Sequence, residues 1–294
     1  MNAKDGIRRG ALAAAVVSVV STMGGCGGGA AGGLTGTSTP QHLTCAKACI
    51  PSDSVSIDQL RASYMLVDNG QNIQALASFG TGSDPRANVE ISGSDQIQLV
   101  TSQGTRAFQI PSTSLGTAIA QAFLTLFAGA APYESDVNST EAASPVQFQF
   151  IRGGTTYSST VTLAPSFVIA NPAPNSTQSL SNPVMAIRLN AAFTTPAQAV
   201  TLNCTDTNGN TGSISANLSV QGTPTMDSAG TSYTVDLSAA LNAIVFSTSH
   251  ARGAISSCDG TLSVTLQTTG QVAAGLTQGQ ILAQRSRSLP FSMR

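Results

Sequence analysis

Residues 60–79 read LRASYMLVDNGQNIQALASF, and this stretch decides the fold class. Leu60, Ala62, Tyr64 and Leu66 alternate with Arg61, Ser63 and Met65, and Ile73, Ala75, Ala77 and Phe79 alternate again after a break. A period of two is the mark of a strand with one face in a core. The break is Asp68-Asn69-Gly70, and Asn-Gly accepts the positive φ angles that a tight turn between twisted strands demands. The stretch therefore predicts a β-hairpin.

The same idiom recurs outward from it. Val146-Gln-Phe148-Gln-Phe150 runs into Gly153-Gly154 and returns through Tyr157, Ser159, Val161 and Leu163, with Phe167 to Ile169 beyond Pro165. Shorter strand candidates lie at Val89 to Ile91, Ile97 to Val100 and Phe108 to Ile110. Later ones are Met185 to Leu189, Val200 to Cys204, Ile214 to Val220, Tyr233 to Leu237, Leu262 to Leu266 and Ile281 to Leu289. A parallel sheet would need helices of about ten residues between strands, so short strands punctuated by Gly, Ser and Asp point to sandwiches. The expected fold is all-β, with two tandem antiparallel β-sandwich domains at residues 51–172 and 183–294. Between them, NPAPNSTQSLSN at 171–182 has two prolines and little to bury, which places a linker at 173–182.

Two pieces break the pattern. Ser114 to Phe127 carries Ile119, Phe123, Leu126 and Phe127 at helical spacing, and Asp236 to Phe246 carries Leu237, Leu241, Ile244 and Val245 likewise. The first is expected as a crossover helix or strand packed against its sandwich, the alternative being an apolar helix offered to membrane or a partner; the second repeats the helical spacing. Aligning Leu115 with Leu237 places Ile119 opposite Leu241 and Phe123 opposite Val245, the pattern a divergent tandem repeat would leave.

Charged residues make up 9% of the 294-residue chain and aromatics 5%, with no Trp and a formal net charge of −1. Without a basic patch, nucleic acid is not an expected partner. The composition also suits turn-rich β structure rather than a coiled coil or an acidic disordered tail.

The N-terminus supplies an address. Lys4, Arg8 and Arg9 precede an apolar run from Leu12 to Val20, closed by Met23-Gly24-Gly25-Cys26. The run is shorter than the roughly 20 residues that span a bilayer, so residues 1–25 read as a secretory signal. The ending resembles the lipobox of bacterial lipoproteins, although Met23 stands where that family usually carries Leu. The resemblance implies that Cys26 becomes a lipidated mature N-terminus and that the lipid holds the protein to membrane. Residues 26–50 then form a tether, Gly-rich as far as Pro40. Gly27 after the lipidated position resembles lipoproteins sorted to the outer membrane.

Four further cysteines, Cys45, Cys49, Cys204 and Cys258, are an even set in an exported chain, which favours disulfides over metal. Of three connectivities, the one expected joins Cys45 to Cys49 and Cys204 to Cys258, because each pair stays within one segment. The second would close a loop of about 54 residues, worth about 4 kcal/mol in the chain-entropy model. A metal or redox role for Cys45-x-x-x-Cys49 lacks the two-residue spacing such sites use. The separation of Cys204 and Cys258 is compatible with the inter-sheet bridge of immunoglobulin-like sandwiches. The layout as a whole resembles secreted bacterial lipoproteins built from immunoglobulin-like or fibronectin-like domains, a likeness that implies no activity.

No catalytic or metal-ligating set emerges. His42 and His250 are the only histidines, and no Gly-x-Ser-x-Gly elbow offers a nucleophile. Asp206-x-Asn208-Gly209-Asn210 resembles the start of a calcium loop, but Thr211 and Asn217 stand where glycine and a bidentate Glu are needed; a hairpin turn is expected. Gly80-Thr81-Gly82 opens no helix and is no phosphate loop, and the sequons at Asn138, Asn175 and Asn217 carry little weight if the source is bacterial, as the lipobox resemblance implies. Glu90, Asp95, Glu134 and Asp136 could converge as paired carboxylates. The function expected is that of a lipid-anchored, non-enzymatic envelope spacer or binding module without cofactor, meeting a protein or glycan partner. The alternative is an envelope hydrolase acting on polysaccharide through those carboxylates.

Overall fold

The computed structural model describes residues 49–82, 88–110, 133–194, 196–247 and 253–294. In the first part of the chain the strands are β1 (Ile50–Pro51), β2 (Leu60–Asp68), β3 (Ile73–Thr81), β4 (Val89–Glu90), β5 (Gln96–Thr101), β6 (Gly104–Ala107) and β7 (Tyr133–Val137). Then come β8 (Val146–Arg152), β9 (Thr155–Val161), β10 (Ile169–Asn171), β11 (Ser176–Gln178) and β12 (Val184–Leu189). The last part holds β13 (Ala197–Asp206), β14 (Thr211–Leu218), β15 (Val220–Asp227), β16 (Gly230–Asp236), helix α1 (Ser238–Asn242), β17 (Val245–Phe246), β18 (Ile255–Thr269) and β19 (Gln280–Met293). The fold is all-β. Among the described residues no helix is long and apolar enough to cross a membrane.

Both hairpins expected from glycine turns are present. β2 and β3 pair antiparallel from Leu60↔Thr81 to Asp68↔Ile73, and Gly70 in their turn has φ +90°. β8 and β9 close through Gly153 and Gly154, at φ +56° and +78°, the double positive φ of a two-residue turn that matches strand twist.

A central nine-stranded sheet runs β17-β14-β13-β18-β19-β2-β3-β7, with β11 also against β19. Two four-stranded sheets, β6-β5-β8-β9 and β10-β12-β16-β15, pack on it. One core lies between β2, β3, β7 and the sheet of β8, and contains Tyr64, Leu66, Phe79, Phe148 and Phe150. The other lies between β13, β18 and the sheet of β12, and contains Leu202, Leu262, Val264, Ile187 and Val235. Strand β19 serves both: Ile281 and Ala283 belong to the first core, Leu289, Phe291 and Met293 to the second. These residues are all odd-numbered, so they share one face of the strand. The two smaller sheets accordingly cover the same side of the central one.

Three features depart from the alternation argument. β19 pairs with β2 in parallel, from Gln280↔Ser63 to Arg285↔Asp68, so the sheets are not purely antiparallel, and part of segment 183–294 completes the core of segment 51–172. The outward side of the first hairpin is closed to solvent as well: Met65, Val67 and Leu76 form a small cluster with Leu282. Finally, the helical spacing at Asp236 to Phe246 yields only the five-residue α1, because Val245 and Phe246 turn into β17 against β14. The segment from Ser114 to Phe127 lies outside the described residues.

Candidate functional site

Cys26, Cys45, His42 and His250 also lie outside the described residues. Cys49 is disulfide-bonded.

Cys204 and Cys258 are bonded to each other, but the bridge does not join two sheets. The two residues face each other across adjacent strands β13 and β18 of the central sheet, with Cα atoms 4.0 Å apart. That is the close spacing of a non-hydrogen-bonded antiparallel pair. The inter-sheet geometry expected from the separation is therefore corrected. A separation in sequence says how much chain is looped out, not whether the partner strand lies beside or opposite.

The four acids named as a carboxylate set divide between two places. Asp95 is buried as the hub of a structural pin: Ser52 Oγ donates to Oδ2 at 2.7 Å and Arg152 Nε to Oδ1 at 3.0 Å. Arg152 Nη1 also donates to the Val55 carbonyl at 2.7 Å, so the pin ties three chain segments together. Desolvation would raise the Asp95 pKa, but Arg152 and Ser52 hold it below the usual range. Glu90 lies near Tyr133, whose phenol is pushed up to about 12, mainly by burial and further by the Glu90 charge.

Glu134 and Asp136 sit two residues apart on β7 and so share a face. With Arg106 and Gln109 they line a groove of about 340 Å³. Burial raises the Glu134 carboxyl pKa, and the Asp136 charge adds to the effect. Arg106 reaches the Asp136 carbonyl at 2.9 Å and the buried Glu141 carboxylate at 2.7 Å. A second polar groove of about 470 Å³ runs past Asp136 to Asn72, Asn138 and Arg287.

The calcium-like motif is a hairpin turn, as its missing ligands implied. Asp206 Oδ1 accepts from the backbone N–H groups of Asn208 and Asn210, and Oδ2 from Asn210 Nδ2 and the Gly253 N–H. Its oxygens are thus occupied by the protein. Among the described residues no group of three His, Cys, Asp or Glu could hold a metal ion. Desolvation opposes ionisation of Asp206, yet these donors bring its pKa down from 3.8 to about 2. A pKa depressed in the folded state contributes stability that is fully present above the unfolded value and is lost as pH falls through the folded one. The expected result is that Asp206→Asn destabilises the protein at pH 6 in urea titrations, and that the gap from wild type narrows between pH 4 and pH 2. A gap independent of pH would show that the charge is not what the loop uses.

One cluster had no signal in the sequence. Asp68, at the end of β2, accepts from Arg287 Nη1 and Nη2 at 2.9 and 3.1 Å, and Arg285 Nε lies 2.8 Å from its Oδ2 as an ion pair outside hydrogen-bond geometry. The Gly70 N–H adds a bond at 2.8 Å, and the Arg287 guanidinium lies 5.7 Å from the Phe167 ring centre. Burial works against the Asp68 charge, but Arg287, Gly70 and Arg285 together lower its pKa. The cluster joins β2 to β19 where the two cores meet. The sequence marks Asp68 only as part of a turn, and the two arginines, neighbours on one strand, lie more than 200 residues from it in sequence.

No family model and no curated protein matches the chain. Among solved structures it is similar to the I67–I69 fragment of the titin I-band, at 11% identity over 81% of this chain and 64% of that one, with a TM-score of 0.21. It is also similar to bovine butyrophilin, at 7% identity over 78% and 97%, TM-score 0.19. A tetra-tandem repeat from the extending region of a large adhesion protein matches at 11% over 78% and 49%, TM-score 0.17. Superposition this poor carries no argument about activity or partner, and the all-β fold rests on the strands themselves.

Proposed function

We propose that this chain is a lipid-anchored, non-enzymatic module of the bacterial cell envelope, held at the outer membrane through Cys26 and acting as a spacer or binding surface for a protein or glycan. The observation that supports this most is the central sheet, which passes through both cores without interruption. A continuous sheet shared by two cores resists bending at a junction where a linker between separate domains would yield. Such a body, set on a glycine-rich leader, suits holding or spanning better than closing around a substrate.

Anchoring is tested at Cys26. Buried acyl methylenes contribute about 0.8 kcal/mol each, and one chain alone binds only marginally, so stable retention needs the several chains that lipoprotein processing attaches. Cys26→Ala is expected to move the protein from the membrane to the soluble fraction. Retention of the mutant on membranes after signal removal would refute the anchor.

The groove on β7 favours one second reading. Two carboxylates on one face, one of them raised in pKa, are what a hydrolase of envelope polysaccharide would use as acid and base. Release of reducing ends from purified cell-wall glycan, abolished by Glu134→Gln, would establish that activity in place of the spacer role.

A further inference from the structure

We propose that the pairing of β2 with β19 is a mechanical clamp, and that the protein bears tension along its chain; this rests on the spacer reading above. β2 is the first long strand of the described chain and β19 the last, and they run in parallel over six registered residues, from Gln280↔Ser63 to Arg285↔Asp68. A pull on the chain before Leu60 and after Met293 drives these neighbours in opposite directions along their common axis. The hydrogen bonds between them are then loaded together, in shear, instead of breaking one at a time.

Three features bear on how the clamp is loaded. Neither strand is an edge: β2 is also paired with β3 over nine residues and β19 with β18 over twelve, so neither can be peeled away sideways. Asp68 ties β2 to Arg285 and Arg287 of β19 at the end of the shared register. The sheet pairing that precedes the clamp is short, β1 meeting β4 over only two residues, and the chain there is otherwise held by the Ser52–Asp95–Arg152 pin, which a pull from this end loads before β2. Because β19 contributes side chains to both cores, its sliding past β2 opens both in one event. A pull of this direction arises when a lipid holds one end and a bound surface holds the far half.

Single-molecule stretching of the full mature chain, expressed without its signal and held by tags at its two ends, tests this directly. One high-force peak is expected, releasing both cores together. The loop between Cys204 and Cys258 stays closed in that peak, so reduction should lengthen the release by roughly 180–190 Å for the 54-residue separation. In the second geometry, the N-terminal handle stays and the other moves from the C-terminus to Thr277→Cys in the exposed turn before β19. That pull opens the β2–β19 ladder from its Ser63↔Gln280 end, bond by bond, and the high-force peak should be lost although the fold is unchanged. Equal forces in both geometries, or two separate peaks in the end-to-end pull, would overturn the clamp. Anchoring is read independently by the fractionation of Cys26→Ala, so failure of one reading is distinguishable from failure of the other.

Discussion

Replacing Asp68 with alanine is expected to lower the unfolding free energy by about 3–5 kcal/mol, the cost typical of removing one partner from a buried ion pair. The wild-type carboxylate is buried between two guanidiniums, with side-chain exposures of 9% for Arg285 and 23% for Arg287. Without it, two like charges remain side by side in a region from which water is largely excluded. Urea unfolding should show one transition at a lower midpoint with an unchanged slope. Limited proteolysis should find residues 60–81 and 255–293 losing protection together, because Asp68 stands where the strand common to both cores leaves the first. The effect should also appear in the wild type on acidification, since the lowered pKa of Asp68 contributes stability that is lost as pH falls below the ordinary carboxylate range. A change under about 1 kcal/mol, the level of an exposed pair, would show that the cluster is a surface ornament and not a joint.

Removing the Cys204–Cys258 bridge by paired serine substitution should cost about 4 kcal/mol, from the freedom regained by a loop of about 54 residues in the unfolded chain. That is a large share of the 5–15 kcal/mol typical of a domain. The native sheet need not rearrange, because β13 and β18 keep one register over nine paired residues, from Ala197↔Thr265 to Thr205↔Ser257, with or without the sulfur link. The loss therefore acts mainly on the unfolded state, and the folded spectrum should be preserved at low temperature while the unfolding midpoint drops. Since β18 pairs with β19 along twelve residues, weakening is transmitted to the first core. The protection of segment 51–172 should fall too, which independent modules would not show. Peptide mapping without reduction checks the premise: a crosslink from Cys204 or Cys258 to any other cysteine would refute it.

The sequence by itself determined what is local. Alternation from Leu60 to Phe79 and from Val146 to Val161 placed two hairpins, and the Asn-Gly and Gly-Gly steps placed their turns, because a period of two and a positive φ are written within a few neighbouring residues. The Asp206 turn was legible for the same reason, and the pairing of Cys204 with Cys258 was the one of three connectivities that keeps each pair within one segment of the chain. Only the tertiary structure decided which strands became neighbours. Nothing in Gln280 to Arg285 marks Ser63 to Asp68 as its parallel partner; apolar alternation says that a strand needs a covered face, and many strands can supply one. The same blindness placed the disulfide between sheets when it lies within one, left Met65 and Leu76 on a side read as outward, and hid the Asp68, Arg285 and Arg287 cluster. Asp68 lies more than 200 residues from the two arginines, and they meet because β19 is long enough to complete one core and continue into the next.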